Sequence, residues 1–234
     1  MTNAPRAVEA EWLDQLPADD PRAIRSRADL EVINAWMLQA GIMARALKKH
    51  WGRGTPRTLI DLGAGDGTFL LRVARRLAPE WRNVTAVLLD RQDIVTAETR
   101  AAFGALRWTV ETVRGDVLDV LGQTDPSDVI TANLLLHHLP QDQLQRLFAR
   151  AARSASLLMA CEPRRGRLSL LASRMVGALG CGDVSRHDAV VSVRAGFSGK
   201  ELSALWPAPR GWDLHEYPAL PFTHCFAARR QAPP

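Results

Sequence analysis

The sequence has few of the residues that mark several common classes of protein. Its three cysteines, Cys161, Cys181 and Cys225, are an odd number without CxxC spacing, a pattern that predicts neither a disulfide framework nor a zinc site. No run approaches the roughly eighteen apolar residues of a membrane-spanning helix. The N-terminus lacks the basic start and apolar core of a signal peptide. We therefore expect a cytoplasmic protein with no membrane span and no bound metal.

Lysine is also scarce. Lys48, Lys49 and Lys200 are the only lysines, and arginine carries nearly all of the positive charge behind the net charge of +5. The arginines occur at most in pairs, such as Arg75–Arg76, whereas a nucleic-acid surface clusters its basic residues on one face and interleaves them with aromatics. The charge therefore does not predict a nucleic-acid partner.

Short apolar segments alternate with helical patterns along the middle of the chain. The predicted strands are residues 58–62, 84–90, 107–113, 127–133 and 154–162, with two further, antiparallel strands within 211–230. Strands that alternate with helices predict an α/β fold, a doubly wound and mostly parallel sheet with helices on both faces. The sequence thus predicts seven strands in one sheet.

Two helical additions are predicted around this sheet. Residues 1–50 are expected to form an N-terminal helical cap, in which apolar residues spaced by three and four from Leu30 to His50 predict one amphipathic helix. Residues 51–234 are expected to form the main domain. Its segment 163–198 interrupts the alternation after the fifth strand and includes an apolar helix at 167–180. We expect this segment to be a lid over the carboxyl edge of the sheet.

A glycine-rich turn follows the first predicted strand. The sequence from Asp61 to Thr68 reads DLGAGDGT, and its glycines allow the backbone to turn sharply and approach a ligand closely. The glycine spacing departs from the dinucleotide-binding pattern, and Asp61 and Asp66 would repel a pyrophosphate. The turn therefore favours a ligand that carries an ammonium or sulfonium group.

These residues resemble motif I of the class I S-adenosylmethionine-dependent methyltransferases. Three further features stand at the expected strand ends: an acidic residue, Asp90, after the second strand, the pair Gly115–Asp116 after the third, and ANLLLHHLP at 132–140 after the fourth. The resemblance covers roughly residues 58–162. It is closest to small-molecule enzymes, the ubiquinone/menaquinone C-methyltransferase-like group and natural-product O-methyltransferases, and it implies a Rossmann-like methyltransferase fold.

The resemblance implies S-adenosylmethionine as the cofactor and a set of cofactor contacts. The implied contact residues are Asp61, Gly63, Ala64, Gly65, Asp90, Arg91, Asp116, Val117, Asn133 and Leu134. In this prediction Asp61 attracts the ammonium, the glycine turn carries the methionine part and Asp90 accepts the ribose hydroxyls. Asp116 and Val117 hold the adenine, and Asn133 and Leu134 lie near the reactive methyl. Other roles remain open: a cap or arginine partner for Asp61, a loop position for Asp90, and a helix N-cap for Asp116.

Three histidines are candidate general bases. His137 and His138 follow the fourth strand, and His187 stands beside Asp188 in the predicted lid. A histidine that titrates near neutral pH can accept a proton from a phenol or an acid. The alternatives are a polar residue that lines the pocket without catalysis and, for His187, a solvated surface His–Asp pair.

The function predicted from these features is methyl transfer to a small-molecule acceptor, with O-methylation of a phenolic, quinone-like or polyketide-type metabolite favoured. An RNA or protein methyltransferase is the first alternative, although the fourth strand ends in Asn133-Leu-Leu-Leu rather than in the Asn/Asp-Pro-Pro-Tyr of amino methylases. An NAD(P)-binding oxidoreductase is the second, against which stand the glycine spacing and the single tyrosine, Tyr217. A homodimer is left open.

Overall fold

The computed structural model describes residues 5–17, 19–52, 54–121, 126–207, 210–219 and 221–231. The strands are β1 (Thr58–Leu62), β2 (Val84–Asp90), β3 (Trp108–Arg114), β4 (Ser127–Asn133), β5 (Ala155–Pro163), β6 (Trp212–Ala219) and β7 (Thr223–Arg230). Each strand predicted between residues 58 and 162 is present within one residue of its predicted bounds. The alternation of buried apolar runs with helices was therefore a sufficient signal for them.

The helices of the described residues flank this sheet. They are α1 (Trp12–Gln15), α2 (Pro21–Trp36), α3 (Gln39–Trp51), α4 (Thr68–Leu77), α5 (Ala97–Ala105), α6 (Val117–Val120), α7 (Gln141–Ser154), α8 (Arg167–Arg174), α9 (Asp183–Ala195) and α10 (Glu201–Leu205), with 3₁₀ turns at Leu136–His138 and Val176–Leu179. None of these helices combines the length and the apolar character needed to cross a bilayer.

The seven strands form one sheet in the order β3-β2-β1-β4-β5-β7-β6. The first five strands are parallel to one another, and β7 is antiparallel to both β5 and β6. The predicted fold class, a doubly wound and mostly parallel seven-stranded sheet, is confirmed. Strand order reverses between β1 and β4, the position at which open α/β sheets bind ligands.

Two apolar layers cover the sheet. One packs α3, α4 and α5 on the first face through side chains such as Leu47 and Leu70. The other packs α6, α7 and α10 on the second face, with Phe148 and Trp206 at its centre. Because both faces are covered, inner strands such as β2 and β5 are almost continuously buried and apolar.

The single helix predicted from Leu30 to His50 is wrong, because the chain breaks it into α2 and α3. Leu38 adopts the left-handed conformation, with φ of 56°, and its side chain is exposed. Ile33 and Met37 before the break pack against Val176 and Cys181. The apolar residues after it pack on the sheet. One sequence stripe therefore serves two separate packing surfaces, and periodicity alone did not reveal the change of direction.

The apolar helix predicted at 167–180 is also corrected in part. The α-helix ends at Arg174, and a 3₁₀ turn follows over Val176–Leu179. Leu168, Leu171 and Met175 point to solvent, with Met175 61% exposed. The division into a cap at 1–50 and a main domain with a lid at 163–198 stays a prediction.

Candidate active site

A cavity of about 280 Å³ lies at the carboxyl ends of β1 and β4, where the strand order reverses. Its floor is the turn between β1 and α4, from Asp61 to Thr68. Helices α1, α2, α8 and α9 cover it, and we call this covering the roof. The roof residues on and after α8 are Ser169, Ala172, Ser173, Val176, Ser185, Asp188, Ala189, Ser192 and Val193. The cavity therefore joins the turn singled out from the sequence to the segment expected to be a lid.

The glycine turn leaves room for a ligand. Gly63 and Gly65 have φ values of 67° and 57°, a conformation that glycine adopts without steric cost. A Cβ built on Gly65 would meet no atom within 4 Å, so this position opens on empty space. Gly67, in contrast, is packed: a Cβ there would lie 2.8 Å from Leu88 Cδ1. The turn is thus closed on its inner side and open at Gly65.

Asp61 is a buried carboxylate in the cavity wall. The β1–β4 register places it beside Thr131, whose hydroxyl donates a 2.6 Å hydrogen bond to Asp61 Oδ1. Burial, together with the negative charge of Asp90, raises the pKa of Asp61 to about 7 in spite of that hydrogen bond. An ionised Asp61 therefore lacks a charge partner here, and a ligand ammonium would supply one.

Replacing Asp61 with asparagine is expected to stabilise the free protein at alkaline pH. The pKa is higher in the folded state than in the unfolded chain, so the folded state binds more protons between about pH 4 and pH 7. Wild-type stability therefore falls as pH rises through this window, by up to about 4 kcal/mol from this group. Urea unfolding of the wild type and of Asp61→Asn at pH 5 and pH 8 measures this effect. The variant should gain most stability, relative to the wild type, at pH 8.

The same variant is expected to bind the cofactor about 10–100-fold more weakly, because the neutral amide cannot compensate an ammonium charge. The exposed Asp19 provides the control, since Asp19→Asn removes one negative charge away from the cavity. If Asp61→Asn changes the free energy of unfolding equally at pH 5 and pH 8, burial does not penalise the ionised form of Asp61.

Asp90 ends β2 and is held in a fixed orientation. Its Oδ2 accepts the N–H of Gly65 at 2.9 Å, and its Oδ1 accepts the N–H of Gln92 at 2.8 Å. Asp90 lines a small second pocket that shares Gly65 with the main cavity. Each carboxylate oxygen retains a free lone pair, so contact with two ribose hydroxyls stays a prediction that this position allows.

Asp90→Asn is expected to weaken cofactor binding by about 10–100-fold, because hydrogen bonds to a charged acceptor contribute roughly 1.5–3 kcal/mol. Titration calorimetry with S-adenosylhomocysteine measures the change. Asparagine keeps one acceptor for the Gly65 N–H and so preserves the turn better than alanine. A change of less than twofold in affinity would show that Asp90 does not contact the ribose.

Asp116 and Arg91 form an ion pair outside both pockets. Arg91 Nη2 lies 2.6 Å from Asp116 Oδ2, while Asp116 Oδ1 accepts the N–H of Leu118 as the N-cap of α6. These contacts outweigh the effect of burial and lower the pKa of Asp116. The structure therefore shows the capping role left open from the sequence. Neither Asp116, Arg91 nor the buried Val117 lines the cavity, and their contacts with adenine stay a prediction.

Asn133 and Leu134, at the carboxyl end of β4, also line the cavity. Asn133 Oδ1 is buried and, among the described residues, has no hydrogen-bond partner, while its amide nitrogen lies 3.3 Å from Asn34 Oδ1. Leu134 adopts a left-handed conformation with φ of 54°. A buried acceptor without a partner, an uncompensated carboxylate and an open Gly65 fit a polar cofactor that carries an ammonium group.

His137 is buried between two carboxylates. Its Nδ1 lies 2.8 Å from Glu162 Oε2 and its Nε2 lies 3.3 Å from Glu11 Oε1. Burial acts to lower the pKa of His137, but the hydrogen bonds to Glu11 and Glu162 raise it to about 9. A histidine that is already protonated near pH 7 cannot accept a proton from the acceptor. The predicted role of His137 as a base is therefore not supported.

The other two candidate bases differ in their position. His138 lines the cavity and is partly exposed, with its Nδ1 3.3 Å from Asp14 Oδ2. His187 is outside the cavity wall: it stacks on Trp12 with ring centroids 3.8 Å apart and bonds Asp188. His187 does pair with Asp188, but the pair is not the solvated surface pair left open from the sequence: Asp188 is buried, lines the cavity and accepts the N–H groups of Trp12 and Leu13.

Sequence reasoning missed the acidic partners of His137 and His138. Glu11 and Asp14 come from a polar N-terminal segment without a recognisable pattern, and α1 reaches the cavity through hydrogen bonds from its N–H groups to Asp188. Glu162 carried a usable signal, because it lies near the carboxyl end of β5 and follows an apolar run.

Comparison with known proteins identifies the central part of the chain. Residues 59–156 match the model of a family described as a methyltransferase domain. This part of the chain is a methyltransferase domain. The resemblance to class I methyltransferases stated from the sequence is confirmed. An uncharacterised methyltransferase of Mycobacterium tuberculosis H37Rv is 32% identical over 81 residues, which are 35% of this chain and 37% of that protein. The match thus spans little more than a third of the relative's length.

Solved methyltransferases share the fold over more than nine tenths of the chain. The plantazolicin methyltransferase BpumL, solved with SAH, aligns with a TM-score of 0.65 and 12% identity over 94% of each chain. The mitomycin 7-O-methyltransferase MmcR aligns with a TM-score of 0.62 and 20% identity over 93% of this chain and 60% of its own. At these identities the likeness concerns the fold, and the methyltransferase domain here lies within a similar set of surrounding elements.

Proposed function

We propose that the protein is an S-adenosylmethionine-dependent methyltransferase that acts on a small molecule, with O-methylation favoured. The observation that carries this proposal is the single cavity that joins Asp61 and the glycine turn to the helical roof. A covered cavity of about 280 Å³ suits a small acceptor better than a macromolecule. The small-molecule enzymes among the structural neighbours support the same acceptor class.

The chain's own residues would bind and orient the reactants in this reaction. S-adenosylmethionine supplies an electrophilic methyl group when bound. Asp61 would hold its ammonium, and the open side of Gly65 would admit its methionine part. Methyl transfer is an in-line displacement, so alignment of the acceptor and exclusion of water provide much of the rate. The roof performs that exclusion.

The acceptor side of the cavity is mainly apolar. Leu30, Ile33, Trp36 and Met37 of α2 and its end contribute to the wall, together with Phe222. Trp36 stacks on Phe222 with ring centroids 5.1 Å apart. Such a wall favours an aromatic or acyl-bearing acceptor, in agreement with a phenolic, quinone-like or polyketide-type metabolite.

Binding measurements followed by an acceptor panel test this function. Calorimetry should show S-adenosylhomocysteine binding with micromolar or tighter affinity and no binding of NAD. Incubation with methyl-labelled cofactor should then label a member of a panel of phenols and hydroxyquinones. Binding of NAD alone would favour the oxidoreductase. Label transferred to RNA or protein, with none on the panel, would favour a macromolecular acceptor.

Two single substitutions distinguish the roles of His138 and His187. His138→Ala is expected to lower turnover about 100-fold, because this imidazole borders the acceptor space. His187→Ala should retain turnover within about twofold, since its ring stacks on Trp12 outside the cavity. Initial rates at saturating cofactor, with S-adenosylhomocysteine affinity as the check on the cofactor site, measure both. Full activity of His138→Ala would show that His138 is not a general base and that alignment and desolvation account for the rate of methyl transfer.

A further inference from the structure

Two imidazoles and one carboxylate converge at the edge of the cavity. His137 Nε2 lies 3.3 Å from Glu11 Oε1, and His138 Nε2 lies 3.9 Å from Glu11 Oε2. Each of the three residues offers one possible ligand atom, and these three atoms lie within 4.8 Å of one another. The two Nε2 atoms thus point to the same carboxylate from adjacent positions of one 3₁₀ turn.

The opposite nitrogen of each imidazole is held by a different carboxylate. His137 Nδ1 lies 2.8 Å from Glu162, and His138 Nδ1 lies 3.3 Å from Asp14. Metal-binding histidines characteristically bond a carboxylate through the nitrogen that does not bind the metal, which fixes the tautomer and the ring orientation. Both histidines show this arrangement, and the second nitrogen of each ring, Nε2, is directed to Glu11.

The backbone that carries the histidines is itself fixed. Glu162 accepts the N–H groups of Leu135 and Leu136 at 3.1 and 2.8 Å. On the other side, Arg6 Nη2 donates to the carbonyl oxygens of His137 and Leu139 at 2.9 and 2.8 Å. The hydroxyl of Ser192 also donates to Glu11 Oε1. A preorganised set of this kind is what a metal site requires.

We propose that Glu11, His137 and His138 bind one divalent transition-metal ion, of the kind represented by Zn²⁺. Two imidazole nitrogens and one carboxylate suit Zn²⁺, Fe²⁺ or Co²⁺, whereas Mg²⁺ and Ca²⁺ favour sites made of oxygen ligands. Three protein ligands leave a coordination position open. All three residues line the cavity, so this position would face the acceptor and could take one of its oxygen atoms.

The sequence contains no metal-binding motif for this set, because Glu11 and His137 are 126 residues apart. The proposal does not depend on methyl transfer, since it concerns a binding site that can be measured directly. With metal bound, His138 would be a ligand and not the general base tested above. The competing explanation is an ion-pair network without metal, in which Glu11 and Glu162 share the charge of His137.

Cobalt and zinc titrations of the full chain test the site. After treatment with a chelator and dialysis, Co²⁺ should give visible d–d absorption bands that saturate at one equivalent, and Zn²⁺ should displace them. His138→Ala and Glu11→Gln are expected to weaken Zn²⁺ binding by about 100-fold or more. His138 is partly exposed, so its variant should fold even if Glu11→Gln does not.

His215→Ala is the matched control, because His215 is exposed and outside the cavity wall. It should leave Zn²⁺ affinity unchanged. The proposal is overturned if the folded wild type binds no Co²⁺ or Zn²⁺, if His138→Ala binds as well as wild type, or if His215→Ala loses binding to the same extent. Calorimetry with S-adenosylhomocysteine on the same stripped protein reports on the proposed function separately.

Discussion

Gly65→Val is expected to abolish cofactor binding while the protein remains folded. A Cβ at Gly65 would extend into space that is free of protein atoms within 4 Å. This space adjoins both the main cavity and the small pocket at Asp90. A valine side chain would therefore occupy the path predicted for the cofactor. Affinity for S-adenosylhomocysteine should fall by at least about 100-fold, equal to about 3 kcal/mol.

A second glycine separates this effect from backbone strain. Valine at Gly65 must adopt a φ of 57°, which costs roughly 1–2 kcal/mol in stability. Gly199 has a φ of 62° and equally open surroundings, but it does not line the cavity. Gly199→Val should therefore lose a similar amount of stability and keep full cofactor affinity. If a folded Gly65→Val protein bound S-adenosylhomocysteine with unchanged affinity, the cofactor would not bind at this turn.

Glu162→Ala is expected to destabilise the protein by about 3–5 kcal/mol. The carboxylate is fully buried, accepts the N–H groups of Leu135 and Leu136, and bonds the His137 ring. Its removal leaves these N–H groups without a partner. It also leaves the buried His137 cation with Glu11 as its remaining carboxylate partner. In a chain of this size the melting temperature should fall by roughly 10 °C.

Urea unfolding of chelator-treated protein measures this effect without a contribution from bound metal. Glu80 supplies the control: it is an exposed carboxylate that pairs with Lys48, and such surface pairs contribute little. Glu80→Ala should thus change stability by less than about 1 kcal/mol. A loss for Glu162→Ala no larger than for Glu80→Ala would show that the buried network contributes nothing net to folding.

The sequence by itself determined the strands, the sheet class and the floor of the site. Buried strands that alternate with helices leave a local pattern, and the turn DLGAGDGT lies between β1 and α4 where its glycines and Asp61 predict it. These signals are local: a few consecutive residues carry them, and parallel strands necessarily bring their carboxyl ends to one edge.

The acceptor side of the site was decided by tertiary structure. The break at Leu38 between α2 and α3 directs one apolar stripe to two surfaces. The placement of α1 brings Glu11 to histidines that lie far away along the chain. Whether a histidine lies inside the cavity wall as a buried cation or outside it depends on the groups that surround its ring, as His137 and His187 show. Long-range packing sets those surroundings, and no pattern of neighbouring residues encodes them.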